Sequence, residues 1–203
     1  MFKSFFENIR KPKNNFGGRF MVKGMNFGHE KLASWARGFL KIESTYIVAD
    51  LGCGGGRNVE YFLTKANKVY GMDYSTTSVE IASRLNQKAI QEGKCEIIQG
   101  DVTILPFEDE SIDIVSAFET IYFWSNLDNS FKEIYCVLKP NGQFLICNEG
   151  SDRNNANIKK WSDMLQFPVY SGNELKTMLE PLGFEVSYEL NDRQNIALLA
   201  KKA

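Results

Sequence analysis

The chain has 203 residues and a mass of 23.1 kDa, enough for one domain with a substantial buried core. Its composition is typical of a globular protein, with 43% hydrophobic and 24% charged residues. The 24 basic and 25 acidic residues give a net charge of −1, which argues against recruitment of nucleic acid or an anionic membrane by a global field.

Cellular location and redox state follow from two further features. The N-terminal region lacks the continuous apolar core of a secretory signal, and no apolar stretch has the length of a membrane span. The cysteines are scattered without a CxxC pair, at Cys53, Cys95, Cys136 and Cys147. This spacing favours reduced, buried thiols over disulfides or a zinc site. We therefore expect a cytoplasmic protein that binds no metal.

Residues 1–45 precede the first predicted strand and carry aromatic and methionine side chains such as Phe27, Trp35 and Phe39. Such residues usually pack against the core of a protein. The segment nevertheless flanks the edge of the fold where a lid over a ligand would lie.

The first predicted strand, residues 46–51, runs into the glycine-rich loop 52–56. Glycine permits positive φ and lets a ligand approach the backbone without meeting a Cβ atom. The dinucleotide fingerprint needs glycine at the sixth position from Gly52, which is Arg57 here. With Asp50 at the start of the loop, this departure favours a ligand with a cationic amine over a pyrophosphate.

The second predicted strand, residues 68–73, ends at Asp73, 21 positions after Gly52 (73 − 52). A carboxylate there can accept hydrogen bonds from both hydroxyls of a ribose. The alternative is a cap for the next helix, whose capping box we place at Thr77 and Glu80 and whose end we place at Gly93.

The third predicted strand, residues 95–99, is followed by Asp101 and Val102. Asp101 can accept a hydrogen bond from the exocyclic amine of an adenine, while Val102 offers a backbone N–H and an apolar contact. Aspartate after glycine is common in turns, so the pair is informative only in series with the glycine loop and Asp73. The three features together predict an adenosine-containing ligand.

The fourth predicted strand, residues 112–118, is followed directly by Glu119. This carboxylate can hold an amine or cap the next helix. Tyr122 and Trp124 come next and either pack or form a wall of the site. A helix, the turn 139–142 and a fifth strand over 143–148 follow.

The last part of the chain interrupts the alternation and then completes it. Residues 151–170 stand apart from the pattern, a capping box at Ser171 and Glu174 opens another helix, and strands are predicted over 185–190 and 195–200. Alternating strands and helices predict an α/β fold with a mostly parallel sheet and helices on both faces. Ligands bind such sheets beyond the carboxyl ends of the strands.

Five motifs carry a family resemblance: VADLGCGGG, VYGMDYS, GDVTILPF, IDIVSAFETIYFW and VLKPNGQFLICNE. In order and spacing they resemble the motifs of class I S-adenosylmethionine-dependent methyltransferases, above all uncharacterised members of the small-molecule branch. The resemblance covers residues 46–149. It implies a Rossmann-like seven-stranded sheet with the final strand antiparallel, a methyltransferase domain over 46–203 with a substrate-side insertion at 151–170, and a helical lid over 1–45.

The resemblance also implies the ligands and where they bind. The cofactor is S-adenosylmethionine and its product S-adenosylhomocysteine. The methionine moiety lies along the glycine loop, the ribose at Asp73, the adenine at Asp101 and the reactive methyl group near Glu119. The cofactor-binding residues implied are Asp50, Gly52, Cys53, Gly54, Asp73, Tyr74, Asp101, Val102, Phe118 and Glu119.

Methyl transfer from a sulfonium needs alignment and exclusion of water, and it needs a general base only for an acceptor protonated at working pH. The candidate catalytic residues are His29, Glu119 and Tyr122. His29 is the only histidine and has an ordinary pKa of about 6.5, which suits proton abstraction. Its alternative role is to order the N-terminal segment or to bind the cofactor carboxylate.

The absence of two motifs narrows the range of possible methyl acceptors. No Asn/Asp-Pro-Pro-Tyr motif follows the fourth strand, and no Pro-Cys pair offers a nucleophile for cytosine methylation. We expect a small-molecule acceptor, no nucleic acid or membrane partner, and a monomer or homodimer. The alternatives are a non-catalytic S-adenosylmethionine-binding module and an NAD-dependent oxidoreductase, which Arg57 disfavours.

Overall fold

A computed structural model of the chain describes residues 30–203, so the prediction for His29 and most of the predicted N-terminal lid lie outside the described residues. The strands are β1 Ile47–Leu51, β2 Lys68–Asp73, β3 Cys95–Gln99, β4 Ile112–Phe118, β5 Leu138–Asn148, β6 Phe184–Leu190 and β7 Ile196–Lys202. The α-helices are α1 Glu30–Arg37, α2 Arg57–Leu63, α3 Thr76–Leu85, α4 Gln87–Gln91, α5 Leu127–Val137, α6 Ala156–Leu165 and α7 Gly172–Leu179. Short 3₁₀ helices cover Ile121–Phe123 and Glu180–Leu182.

The strands of residues 30–203 form one seven-stranded sheet in the order β3-β2-β1-β4-β5-β7-β6. Strands β1 to β5 pair in parallel, while β7 runs antiparallel to both β5 and β6. The α/β class and the Rossmann-like sheet with an antiparallel final strand are therefore confirmed. Most predicted strand bounds hold within one or two residues, because each strand is a short apolar run closed by a turn. Strand β5 is the exception, since it begins at Leu138 and the predicted turn 139–142 interrupts its register with β4.

Helices cover both faces of the sheet because successive strand residues point to opposite faces. On one face, α5 and α7 pack through Phe131, Ile134 and Leu175 against strand residues such as Leu51 and Ile146. The opposite face is covered by α1, α2 and α3, whose buried residues include Leu32, Ala36, Val59, Phe62 and Ala82. Both faces are thus closed to water, and the loops at the strand ends are left to bind ligands.

The predicted capping box at Thr77 and Glu80 is wrong. Helix α3 starts at Thr76, and its N-cap is Ser75, whose side chain accepts a hydrogen bond from the backbone N–H of Ser78. The helix ends early because Asn86 turns its amide back to the carbonyl oxygens of Gly56 and Ala82, at 3.2 and 3.0 Å. In contrast, the capping box predicted at Ser171 and Glu174 is confirmed at the start of α7.

The cysteine prediction is confirmed in its main part: all four thiols are free, and Cys53, Cys95 and Cys147 are buried, whereas Cys136 is exposed. None of the helices within residues 30–203 is long and apolar enough to cross a membrane.

Candidate active site

The site lies where the strand order reverses, at the carboxyl ends of β1 and β4. The glycine loop leaves β1 there and turns sharply into α2. Its start is fixed by the carbonyl oxygen of Met72 on β2, which accepts hydrogen bonds from the backbone N–H groups of Gly52 and Cys53 at 2.7 and 3.0 Å. Strands β1 and β2 thereby set the path of the loop.

Three glycines of the loop have positive φ, for different reasons. A Cβ atom on Gly52 would lie 2.1 Å from the hydroxyl oxygen of Thr120, and one on Gly56 would lie 2.9 Å from the Cβ of Ala82. Both positions therefore need glycine for packing. Gly54, at φ 53°, has no protein atom within 4 Å of such a Cβ, so its backbone borders open space. Of these three glycines, only Gly54 has open space at the position where a side chain would begin.

Asp73 ties the end of β2 to the glycine loop. Its carboxylate accepts hydrogen bonds from the backbone N–H of Gly54 at 2.9 Å and from that of Ser75 at 2.8 Å. Burial raises the pKa of this carboxyl group, and the two N–H donors together with the Ser78 hydroxyl partly counteract the rise. Asp73 is not the cap of α3, because Ser75 has that role. With three donors, the carboxylate keeps one of its four lone-pair sites for a ligand hydroxyl.

A cavity of about 260 Å³ opens beside these residues. Nine of the ten predicted cofactor-binding residues line it: Gly52, Cys53, Gly54, Asp73, Tyr74, Asp101, Val102, Phe118 and Glu119. They come from the ends of β1, β2, β3 and β4, which are distant in sequence and adjacent in the sheet. The topology therefore collects the predicted residues at one site.

Asp50, the tenth residue, is 1% exposed and does not line the cavity. The hydroxyl of Ser116 on β4 donates a hydrogen bond of 2.7 Å to one carboxylate oxygen, and the other oxygen has no hydrogen-bond partner among the described residues. Burial raises the pKa of Asp50 to about 7. The hydrogen bond to Ser116 keeps the Asp50 side chain inside the sheet, away from the cavity lining. The predicted contact between Asp50 and the cofactor therefore stays a prediction that the cavity lining does not support.

Glu119 and Tyr122, two of the predicted catalytic residues, are directly bonded. The Tyr122 hydroxyl donates a hydrogen bond of 2.6 Å to the Glu119 carboxylate, and the backbone N–H of Glu149 donates to its other oxygen. Glu119 lines the cavity, whereas Tyr122 lies behind it and stacks on Phe167 with ring centroids 4.9 Å apart. Burial raises the pKa of Glu119 to about 8. Tyr122 is therefore placed to orient Glu119, and its catalytic role stays a prediction.

Helix α1 supplies cavity residues that the sequence did not reveal. Glu30, Leu32 and Ala33 line the cavity. The helix is held by Arg37, whose guanidinium donates to Glu30 at 2.5 Å and to Asn58 of α2 at 3.0 Å and lies 4.0 Å from the Tyr61 ring centroid. Further lining residues missed from the sequence are Arg57, Asn58, Ser78, Gly100, Thr120, Phe123, Ser125 and Cys147. Only Arg57, directly after the loop, had a local signal.

Replacing Arg37 with methionine should release α1 from the cavity. The change keeps an apolar stem in a side chain that is 4% exposed, but it removes the two hydrogen bonds and the ring contact. We expect a loss of about 1–3 kcal/mol in local stability. Hydrogen exchange should become faster in residues 30–40 and stay unchanged in β1 and β4. Equal acceleration throughout the chain would contradict this role of Arg37.

The chain matches the methyltransferase domain family over residues 49–146. It is 27% identical to the O-methyltransferase resE of Aspergillus sclerotiorum over 76% of this chain and 60% of that protein. It is 29% identical to the sterol 4-C-methyltransferase strm-1 of Caenorhabditis elegans over 64% of this chain and 41% of that protein. The chain thus spans about 40 to 60% of the length of these relatives.

The fold is shared with the methyltransferase of Haloferax volcanii that was solved in complex with the Trm112 activator. The TM-score is 0.80 at 21% identity, over 89% of this chain and 93% of that one. The sheet order and the fold are those of Rossmann-like proteins. Over residues 49–146 the sequence is similar to methyltransferase domains, in agreement with the motifs that resemble class I S-adenosylmethionine-dependent methyltransferases.

Proposed function

We propose that this protein is a methyltransferase that transfers the methyl group of S-adenosylmethionine to a small-molecule acceptor. One observation carries the proposal: the open backbone at Gly54 and the buried Asp73 carboxylate border the same cavity and are joined by a hydrogen bond of 2.9 Å. A ligand held here meets bare main chain on one side and a hydroxyl acceptor on the other.

The residues of the cavity fit the cofactor of the family. We assign the ribose hydroxyls to Asp73, the adenine to Asp101 and Val102, and the aminoacyl part to the loop at Gly54. When bound, S-adenosylmethionine supplies a methyl group on a positively charged sulfonium. The task of the chain is to orient this group and to exclude water, and proximity alone is worth roughly 7–11 kcal/mol.

We assign the acceptor to the part of the cavity lined by Glu119, Phe118, Phe123 and Trp124, together with α1. One of the two relatives is named as an O-methyltransferase and the other as a methyltransferase of sterols, which are small molecules. We therefore propose a small organic acceptor, with α1 as the described part of a substrate-side lid and Glu119 as the candidate proton acceptor. A cytoplasmic location, independence from nucleic acid and membranes, and a monomeric or homodimeric state complete the proposal.

Calorimetric titration tests the cofactor assignment. We expect saturable binding of S-adenosylmethionine and S-adenosylhomocysteine, and no binding of NADH because Arg57 breaks the dinucleotide fingerprint. Binding of NADH without S-adenosylmethionine would instead identify an oxidoreductase.

Turnover tests the methyl transfer itself. Release of S-adenosylhomocysteine in a broad screen of small-molecule acceptors is the expected result. A chain that titrates with the cofactor but yields no S-adenosylhomocysteine with any acceptor would be a non-catalytic binding module.

A further inference from the structure

The backbone at Glu119 is in the left-handed region, with φ 58°, which a non-glycine residue adopts at a cost of about 1–2 kcal/mol. Its backbone N–H donates a hydrogen bond of 2.8 Å to the carbonyl oxygen of Cys147. Tyr122 and the backbone of Glu149 hold the two carboxylate oxygens. Three segments, the ends of β4 and β5 and the 3₁₀ helix, thus fix one carboxylate at the cavity wall.

Apart from these two hydrogen bonds, the carboxylate has, within the described part of the chain, neither of the usual structural roles of a glutamate at a strand end, a helix cap or an ion pair. It caps neither following helix, because the N-cap of the 3₁₀ helix is Thr120 and that of α5 is Asn126. Within residues 30–203, no lysine or arginine forms an ion pair with Glu119. The charged form of such a partly buried carboxylate is favoured when a ligand brings a cation next to it.

The cavity that Glu119 lines also has aromatic walls, and one of these rings, Phe123, packs against Tyr122 with ring centroids 4.7 Å apart. Phe118, Phe123 and Trp124 line the same cavity. The Trp124 indole N–H donates to the Thr120 hydroxyl at 3.1 Å, which fixes the ring. Aromatic faces attract organic cations by about 0.5–2 kcal/mol and pack well against hydrocarbon.

We propose that Glu119 is the recognition site for a protonated amine on the methyl acceptor, with the hydrocarbon part of that acceptor packed against Phe118, Phe123 and Trp124. The inference rests on the proposed function and names the acceptor class for the same site. In it, Tyr122 is a positioning residue that orients Glu119.

The pH dependence of amine binding follows from the groups that face Glu119. Burial raises the pKa of Glu119 to about 8, the Tyr122 hydroxyl and the Glu149 N–H lower it, and the Glu149 carboxylate raises it. The other titratable groups at the cavity are Glu30, Cys53, Arg57, Asp73, Tyr74, Asp101 and Cys147. Because the pKa is raised, Glu119 is neutral below about pH 8 in the free protein. An ammonium ligand must therefore displace a proton from it.

The test is calorimetric binding of amines to the complex with S-adenosylhomocysteine. The probes are methylamine, butylamine, benzylamine and phenethylamine, each beside the alcohol of the same skeleton. We expect at least one amine to bind at least about tenfold more tightly than its alcohol. Affinity should rise as the pH rises through about 8, and below that pH the heat of binding should depend on the buffer because a proton is released.

Three variants assign the effect to the carboxylate. Glu119→Gln should abolish the preference for the amine and the proton release while S-adenosylhomocysteine still binds. Tyr122→Phe should keep the preference and move the pH midpoint upward, because a donor to the carboxylate is lost. Glu149→Gln is the matched control, since its exposed carboxylate is removed and its backbone N–H remains, so the midpoint should move downward.

Several outcomes would overturn the proposal. Two of them concern the wild-type chain: equal affinity for every amine and its alcohol, or no binding of any amine. The others concern Glu119→Gln: an unchanged preference for the amine, or a loss of S-adenosylhomocysteine binding as large as the loss of amine binding. The last result would assign Glu119 to the cofactor. A wild-type chain that does not bind S-adenosylhomocysteine overturns the proposed function itself. Cofactor binding without amine preference overturns only the amine proposal.

Discussion

Replacing Gly54 with valine is expected to abolish binding of S-adenosylmethionine and S-adenosylhomocysteine while the sheet remains folded. The added Cβ meets no protein atom within 4 Å, so the valine side chain occupies space that the ligand needs. The positive φ also makes any side chain there unfavourable, by about 1–2 kcal/mol. Affinity measured by calorimetry should fall at least about 100-fold, which corresponds to roughly 2.7 kcal/mol.

Gly93 provides a matched control for this variant. It also has positive φ, at 74°, and has no protein atom within 4 Å of an added Cβ, but it lies after α4 and does not line the cavity. Gly93→Val should lose a comparable amount of stability in thermal unfolding and keep its affinity for S-adenosylhomocysteine. If both variants bind normally, the ligand does not approach the loop at Gly54.

Replacing Asp73 with alanine is expected to weaken cofactor binding by about 10- to 100-fold, because hydrogen bonds between a carboxylate and ligand hydroxyls are worth about 1.5–3 kcal/mol. The variant should also lose some stability, since the backbone N–H groups of Gly54 and Ser75 lose their acceptor. Calorimetry with S-adenosylhomocysteine, together with thermal unfolding, separates the two effects.

Asp113→Ala is the control for Asp73→Ala. The Asp113 carboxylate accepts hydrogen bonds from the backbone N–H of Ile47 and from the Lys139 ammonium, both at 2.8 Å, near the amino end of β4 and outside the cavity lining. This variant should lose stability without losing cofactor affinity. The assignment of the ribose hydroxyls to Asp73 would be wrong if Asp73→Ala kept its affinity for S-adenosylhomocysteine. It would also be wrong if Asp113→Ala lost as much of that affinity as Asp73→Ala.

Local sequence patterns were sufficient to predict most of the strands and helices of the fold. Apolar runs such as 68–73 and 112–118 are closed by glycine or polar residues and became strands with those bounds. The bounds of such strands depend on residues that are adjacent in the sequence, so the sequence pattern was sufficient to predict them. The start of α3 was misplaced because Ser75, Thr76 and Thr77 are all able to cap a helix, and only the backbone selects one.

The sequence by itself determined the sheet, the glycine loop and the carboxylate at the end of β2, because strand ends in a parallel sheet necessarily meet at one edge. Only the tertiary structure decided that Asp50 is buried outside the cavity lining, that Tyr122 donates a hydrogen bond to Glu119, and that α1 borders the cavity. These facts depend on contacts between distant segments, such as Asp50 with Ser116 and Arg37 with Asn58. No periodicity or spacing along one segment encodes such contacts.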